Sequence, residues 1–137
     1  FDYYNLQIGY VDDPRDAFEF PKDHPDQGKL IGAYYFCGFP NMMFNFYPWG
    51  LQINTVMPLG LERSKVLFLN YIYDMNAWDE NNYGELSEKV EREDEFVVEA
   101  VQKGIKSRFY ERGRFSPKRE PCVHHFHSLI SKYLSDL

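Results

Sequence analysis

The chain has 137 residues, of which 44% are hydrophobic and 18% aromatic, and its formal net charge is −6. This size and composition predict one folded domain with a real core, and they exclude a disordered chain. Acidic and basic residues are interspersed and no basic face is indicated, so we expect no nucleic-acid partner. No apolar run approaches the roughly 18 residues that a membrane span needs, so we expect no membrane partner either.

The first half of the chain is dominated by β-type patterns. Phe1–Val11 alternates loosely and predicts a short strand, Asp12–Phe20 is ambiguous, and Pro21–Gly28 is polar and rich in helix breakers, as loops are. Further strands are predicted over Leu30–Phe39, Met42–Tyr47, Leu51–Met57 and Lys65–Tyr73. The connections between them, including a hairpin loop at Pro58–Ser64, are short, so consecutive strands should pair antiparallel.

The second half predicts two helices. After the polar connection Asp74–Gly84, the segment Leu86–Phe109 has helical periodicity, and the loop Glu111–Pro121 separates it from a last helix that runs from about Glu120 to the end. The predicted core stripes are Leu86, Val90, Val97, Val101 and Ile105 on the first helix, and Val123, Phe126, Ile130, Tyr133, Leu134 and Leu137 on the second. A sheet followed by a helix across it and a second helix indicates an α+β fold.

Asp94 falls inside the apolar stripe of the predicted long helix. A carboxylate on a core-facing stripe is costly unless it is paired, neutralised or bound to a metal. One explanation is that the helix begins near Arg92, so that Asp94 lies in its first turn and interacts with the helix dipole. The other is that Asp94 is a metal ligand or catalytic carboxylate, since Glu93 and Glu95 could serve the dipole without occupying the stripe.

The histidines give weaker signals. The run from Cys122 to His127 has no Cys-x2-Cys or Cys-x2-His partner, so a zinc or iron–sulfur site is not supported. We expect His124 and His125 at the surface and His127 to be partly buried. A site joining His124 and His127 to Asp94 remains a minor alternative, and His24 is expected to be solvated.

The sequence offers little support for nucleophilic catalysis. Cys37 lies in an aromatic strand, where an inert buried thiol is expected, and there is no Gly-x-Ser-x-Gly or phosphate-binding glycine-rich loop. Cys37 and Cys122 lie in different segments and indicate no disulfide framework, which fits a reducing cytoplasm. The aromatic residues between Tyr34 and Trp49 should form core, and a subset could line an apolar pocket between sheet and helix.

Three stretches together resemble the catalytic domain of the large subunit of Rieske non-haem iron oxygenases. FPNMMFNFYPWGLQINTVMPLGLERSKVLFLNYIY, from Phe39 to Tyr73, is similar to the sheet of that domain. Glu93-Asp94, then Glu99, Gln102-Lys103-Gly104 and Tyr110-Glu-Arg-Gly113, resembles the segment that supplies its iron-binding aspartate, and EPCVHHFHSLISKYL resembles its last helix. The match covers most of residues 30–134, and it looks closer to choline- and carnitine-type monooxygenases than to naphthalene or biphenyl dioxygenases.

The resemblance implies a helix-grip (START/Bet v 1-like) fold, with a long helix across an antiparallel sheet and a C-terminal helix. It also implies mononuclear Fe(II) held by two histidines and a carboxylate, with positions left open for O₂ beside a small organic substrate. Carried over residue by residue, the iron ligand is Asp94, and no other catalytic residue is implied. Ala33, Tyr35, Asn45 and Val90 match positions that line the family's substrate pocket.

The departures from the family pattern concern the other iron ligands and the Rieske cluster. The Cys-x-His and Cys-x2-His motifs and the paired-histidine helix are absent from this sequence and would lie upstream of Phe1. The sequence itself begins with neither Met nor a signal peptide. Residues 1–137 are therefore expected to be a single domain, the C-terminal portion of a catalytic domain, without the Rieske domain. The resemblance further implies a reductase or ferredoxin as electron donor, a trimer and a Rieske [2Fe–2S] cluster that this chain does not bind.

We expect that the chain alone cannot turn over. Within the family, either mono- or dioxygenation is compatible with the sequence. The alternative function is a non-catalytic helix-grip domain that binds an apolar ligand between sheet and helix.

Overall fold

The computed structural model describes residues 2–135, apart from the side chain of residue 80. Within that range the chain forms five strands and three α-helices. The strands are Tyr4–Tyr10 (β1), Ile31–Gly38 (β2), Met42–Tyr47 (β3), Gly50–Gly60 (β4) and Arg63–Ile72 (β5). The helices are Met75–Glu80 (α1), Tyr83–Gly104 (α2) and Pro121–Ser135 (α3), and a short 3-10 helix spans Pro14–Asp16.

The strands form one sheet in the order β1-β2-β3-β4-β5, and every neighbouring pair is antiparallel. The predicted strands are confirmed, although Phe1 lies outside the described residues. The predicted loop Pro58–Ser64 is wrong in extent, because Pro58 pairs with Ser64 and Gly60 with Arg63. Gly60 has a φ of 156°, a value that L side chains rarely adopt, and this allows the chain to turn so tightly.

The two faces of the sheet differ in polarity because side chains alternate along each strand. One row across the sheet consists of the register partners Gln7, Tyr35, Asn45, Gln52 and Asn70. A row of the opposite face consists of Tyr34, Phe46, Leu51 and Tyr71. The polar face is the one on which the helices lie, since α2 contacts Gln52 and α3 contacts Asn5.

The predicted long helix is confirmed as α2, but it begins and ends earlier than predicted and its apolar stripe is largely exposed. Its half-buried residues include Tyr83, Ser87 and Glu91, whereas Leu86 and Val97 of the predicted core stripe are 52% and 56% exposed. The helix is held to the sheet by the hydrogen bond and ring contacts of Tyr83 and Ser87, described below. All five residues of the predicted stripe are between 43% and 56% exposed, so the predicted burial of that stripe is wrong.

The predicted last helix is confirmed as α3, with a different buried side. Leu129 is its buried residue, and Cys122, His125 and Phe126 are partly buried on the same side. The predicted stripe residue Val123 is 44% exposed, and Leu137 lies outside the described residues. Asn5 determines the orientation of α3, because its side chain bonds the carbonyl of Cys122 at 3.4 Å and Nδ1 of His125 at 2.8 Å.

The order of elements confirms the predicted α+β helix-grip architecture, an antiparallel sheet with a long helix across it and a C-terminal helix. In the part of the chain that the structure describes, no helix is both long enough and apolar enough to cross a lipid bilayer.

Candidate active site

The candidate site lies between the polar face of the sheet and α2. At the start of α2 the ring of Tyr83 stacks on Trp49, with centroids 5.8 Å apart. One turn later the hydroxyl of Ser87 accepts a hydrogen bond of 2.9 Å from Nε2 of Gln52. Beyond the end of α2, Lys106 forms an ion pair with Glu62 in the turn between β4 and β5. These contacts at both ends place the middle of α2 over the sheet.

Asp94 lies in the middle of α2, eleven residues after Tyr83, where the helix begins. The explanation that it occupies the first turn of a helix is therefore wrong. Asp94 follows Ser87 by seven residues, which puts it within about 20° of Ser87 around the axis and about 10 Å further along. Asp94 is exposed in this chain. Its position around the helix axis puts it on the same side of α2 as Ser87, which is the side that contacts the sheet.

The acidic character of this part of α2 extends to Glu91, one turn before Asp94. Burial raises the pKa of Glu91, and the negative charge of Asp94 raises it further. On the sheet, burial raises the pKa of Tyr47, with smaller contributions from Tyr35 and from the charge of Glu91. Tyr47 thus stays a neutral hydrogen-bonding group near the helix.

A chain of hydrogen bonds connects the floor of the site to α2. Asn45 donates through Nδ2 to Oε1 of Gln52 at 3.2 Å, and Gln52 donates in turn to Ser87. Asn45 and Gln52 are 8% and 2% exposed, so the bonds are shielded from water. Asn54, two residues further along β4, is also buried, but its Oδ1 has no hydrogen-bond partner.

A cavity of about 440 Å³ opens beside this floor, at the start of α2. Its lining includes Ala33, Tyr35, Tyr47 and Tyr83, together with Asp16 from the 3-10 helix. The ring of Tyr47 stacks on Trp49 at 4.8 Å and meets the ring of Tyr35 edge-on at 6.0 Å. The lining is therefore largely aromatic and held rigid by ring contacts.

The four predicted pocket residues lie in different parts of the site. Ala33 and Tyr35 line the cavity. Asn45 lies in the hydrogen-bonded floor, and Val90 is 54% exposed on α2 and does not line the cavity, where Leu86 contributes instead. The roles of these residues and of Asp94 stay predictions.

The histidines lie away from Asp94. His124 and His127 contact the ring of Phe115 with centroids 5.0 and 5.3 Å apart, and His24 stacks on Phe20 at 4.5 Å. His127 is exposed and His125 is partly buried, which reverses the expectation for these two residues. The minor alternative of His124 and His127 as co-ligands of Asp94 has no support, since α3 packs on β1.

The donor set available for iron is correspondingly small. Among residues 2–135, no group of three or more His, Cys, Asp or Glu side chains is placed to hold a metal ion. Asp94 supplies one carboxylate of the kind that binds iron, without an imidazole beside it. This chain therefore fits an iron site only as the source of one ligand.

Sequence reasoning missed Asp16, whereas Trp49 was among the aromatic residues predicted to form core. Asp16 lies in the segment that was ambiguous by pattern, and only its pairing with Tyr83, 67 residues away, brings it to the cavity. Trp49 follows Pro48 in a two-residue hairpin turn, where exposure is the usual expectation, yet it is 5% exposed. Its burial agrees with the predicted core position of this aromatic residue.

Comparison with known proteins gives a consistent picture. Residues 10–136 match the family described as ring hydroxylating alpha subunit (catalytic domain). The chain is 38% identical over 103 residues to the chloroplastic choline monooxygenase of Arabidopsis thaliana, covering 72% of this chain and 24% of that protein. It is 30% identical over 123 residues to the enzyme of the same name from Spinacia oleracea, covering 85% of this chain and 28% of that protein. No solved structure matches the chain significantly.

The chain thus spans about a quarter of the length of the curated relatives that it matches. The family match covers most of the chain, including β2 to β5, the last residue of β1 and the helix that carries Asp94. The chain therefore belongs to the family of ring-hydroxylating oxygenase alpha subunits, in the region of their catalytic domain, as the resemblance implied.

Proposed function

We propose that residues 1–137 are the C-terminal portion of the catalytic domain of a Rieske-type non-haem iron oxygenase, which hydroxylates a small organic substrate with O₂. Family membership supports this proposal. The observation that carries it is the position of Asp94, in the middle of α2 and on the side that crosses the sheet. A carboxylate there is too far from either helix end to interact with the helix dipole, which supports a role as iron ligand.

In this proposal Asp94 would hold the iron together with two histidines that lie outside this chain. When bound, the iron supplies the activation of O₂, and electrons come from a Rieske [2Fe–2S] cluster that is also outside this chain. The residues of this chain bind and orient the substrate. Ala33 and Tyr35 form cavity wall, the Asn45–Gln52–Ser87 hydrogen bonds fix the distance between sheet and α2, and Val90 lies one turn before Asp94.

We propose a small quaternary ammonium alcohol as the substrate and monooxygenation as the reaction. The relatives are named choline monooxygenase, and an aromatic cavity suits a methylated ammonium group because ring faces attract cations. Tyr35, Tyr47 and Tyr83 supply such rings, and they also exclude water from an apolar methyl surface.

The expected partners are O₂, a reductase or ferredoxin and further copies of the full-length subunit in a trimer. The cytoplasmic location stays a prediction. The relatives are chloroplastic by name, and free cysteines such as Cys37 and Cys122 are compatible with either compartment.

The test of Asp94 is metal analysis of the full-length protein. We expect Asp94→Ala to reduce the iron content of the mononuclear site to background and to abolish substrate hydroxylation, because one of three protein ligands is lost. The [2Fe–2S] absorbance should be unchanged.

Glu93→Ala is the matched control, since Glu93 is an exposed neighbouring carboxylate on α2. It should retain iron and activity. Normal iron content in Asp94→Ala would contradict the assignment and leave Asp94 a structural residue.

The second candidate is a non-catalytic helix-grip domain that binds an apolar ligand. The cavity favours it, because the cavity exists in this chain and Asp94, the proposed iron ligand, does not line it. The sequence upstream of Phe1 separates the two candidates. A Cys-x-His and Cys-x2-His pair with a His-x4-His element would support the oxygenase, and their absence would support the binding domain.

A further inference from the structure

The cavity at the start of α2 has an unusual charge distribution. Among the described residues that line it, Asp16 is the one charged side chain, and the lining contains no lysine, arginine or histidine. The remaining wall consists largely of tyrosine and tryptophan rings and of small apolar residues. Such a cavity offers ring faces and one carboxylate, and it offers no cationic group that an anionic ligand could use.

Asp16 is fixed in place by the backbone around it. Pro14–Asp16 forms the 3-10 helix, whose carbonyl at Pro14 accepts a hydrogen bond from Ala17, and the following Phe18 bonds the carbonyl of Ile31 in β2 at 2.8 Å. The Asp16 segment is therefore tied to the start of β2, which borders the cavity.

The side chain of Asp16 is held by α2. The hydroxyl of Tyr83 donates a hydrogen bond of 3.2 Å to Oδ1 of Asp16, and burial followed by this contact raises the pKa of Tyr83, so the tyrosine remains a donor. The nearest cation along the chain is Arg15, whose guanidinium bonds both oxygens of Asp13, with a shortest distance of 2.6 Å. Arg15 is thus engaged elsewhere, although the charge of Asp16 contributes to raising its pKa.

We propose that Asp16 is a specificity-determining residue, whose carboxylate selects an organic cation over a neutral molecule of the same shape in this cavity. The proposal rests on the proposed function for the class of substrate. Tyr83 acts as a positioning residue, because it orients the carboxylate and supplies an aromatic wall at the same time. The ring faces attract a cation by themselves, and the carboxylate adds a full opposite charge that a neutral branched alkyl group cannot use.

The test measures binding of two probes to the full-length protein by calorimetry, without O₂ or reductant. The probes are choline and 3,3-dimethyl-1-butanol, in which carbon replaces the ammonium nitrogen and removes the charge. We expect the wild-type protein to prefer choline, and Asp16→Asn to lower that preference by about tenfold or more. The affinity for the neutral alcohol should be nearly unchanged.

Three further variants complete the design. Asp16→Glu keeps the charge and should keep the preference, whereas Asp16→Ser removes the charge and should lose the preference. Asp12→Asn is the control, because Asp12 is an exposed carboxylate four residues away that does not line the cavity. If Asp16→Asn does not fold, Asp16→Ser decides the question.

Equal affinity of the wild-type protein for both probes, or an unchanged preference in the uncharged variants, would overturn the proposal. So would an equal loss in Asp12→Asn, which would indicate general electrostatic attraction. Failure of the oxygenase function is separate and visible in iron content and turnover. A protein without iron could still show Asp16-dependent selection, and an active oxygenase could lack it.

Discussion

Asn54 lies on the helix-facing side of β4 and is 5% exposed, yet its Oδ1 accepts no hydrogen bond. A buried polar atom without a partner has lost its hydration without compensation. Gln52 lies two residues earlier on the same face, and both ends of its side-chain amide are hydrogen-bonded. Its oxygen accepts from Asn45 and its nitrogen donates to Ser87.

We expect Asn54→Leu to raise the free energy of unfolding by about 1 kcal/mol, because an apolar group of similar size removes the unpaired acceptor. Gln52→Leu should lower it by about 1–3 kcal/mol, since it leaves Asn45 and Ser87 unpaired. Urea unfolding of both variants tests the prediction. A loss of stability in Asn54→Leu equal to that in Gln52→Leu would mean that Asn54 has a partner.

The sequence identified Asp94 as anomalous because its position in an apolar stripe conflicts with its charge. It could not decide between a helix start and a ligand, since that depends on where α2 begins. Asp16 shows the reverse case. It belongs to no local pattern, and its place at the cavity results from a contact between residues 67 positions apart.

At the scale of elements, the hairpin of β3 and β4 supports the cavity. Tyr47 pairs with Gly50 across a turn formed by Pro48 and Trp49, and the carbonyl of Trp49 accepts hydrogen bonds from Tyr73 at 2.8 Å and Asp74 at 3.0 Å. Gly50 is required for this close approach, because a Cβ at Gly50 would lie 2.3 Å from the backbone oxygen of Tyr71.

We therefore expect Gly50→Ala to lower the free energy of unfolding by about 1–3 kcal/mol, as overpacking does. Gly104→Ala is the control, since a Cβ at Gly104 would have no atom within 4 Å and alanine favours the helix by about 0.5–1 kcal/mol. Thermal unfolding compares the two. A stable Gly50→Ala variant would show that β5 can move away from the hairpin turn.

The strands could be predicted from sequence because their alternation and turn residues are local. The exposure of the α2 stripe could not be predicted, since Tyr83 and Ser87, which contact the sheet, lie at the start of the helix. Burial of a stripe depends on what covers it, and within residues 2–135 its neighbours are few. The same holds for α3, where Asn5 selects the side that carries Cys122 and His125.

At the scale of the whole molecule, a large apolar surface is exposed. Phe46, Leu69 and Tyr71 on the outer face of the sheet are 41%, 41% and 57% exposed, and the α2 stripe is similar. A surface of this kind normally contacts another part of a protein or a partner.

For the 137-residue chain expressed alone, we expect no stoichiometric iron and no turnover, because it offers one carboxylate and no neighbouring imidazole. Iron analysis after Fe(II) loading and removal of excess metal tests this, with the full-length protein as the positive control. Tight binding of one Fe(II) per isolated chain would mean that the remaining ligands are local, and the proposed iron site would be wrong.

The strictly sequential order of the sheet has a consequence for how the chain folds. Each strand pairs with the next along the chain. The hairpins from β2 to β5 close short loops and lose little chain entropy, whereas residues 11–30 join β1 to β2. The bonds of Asn5 with Cys122 and His125 span 117 and 120 residues and close the largest loop. We expect the sheet to form by successive hairpins. We expect α3 to dock last, against β1, the N-terminal strand.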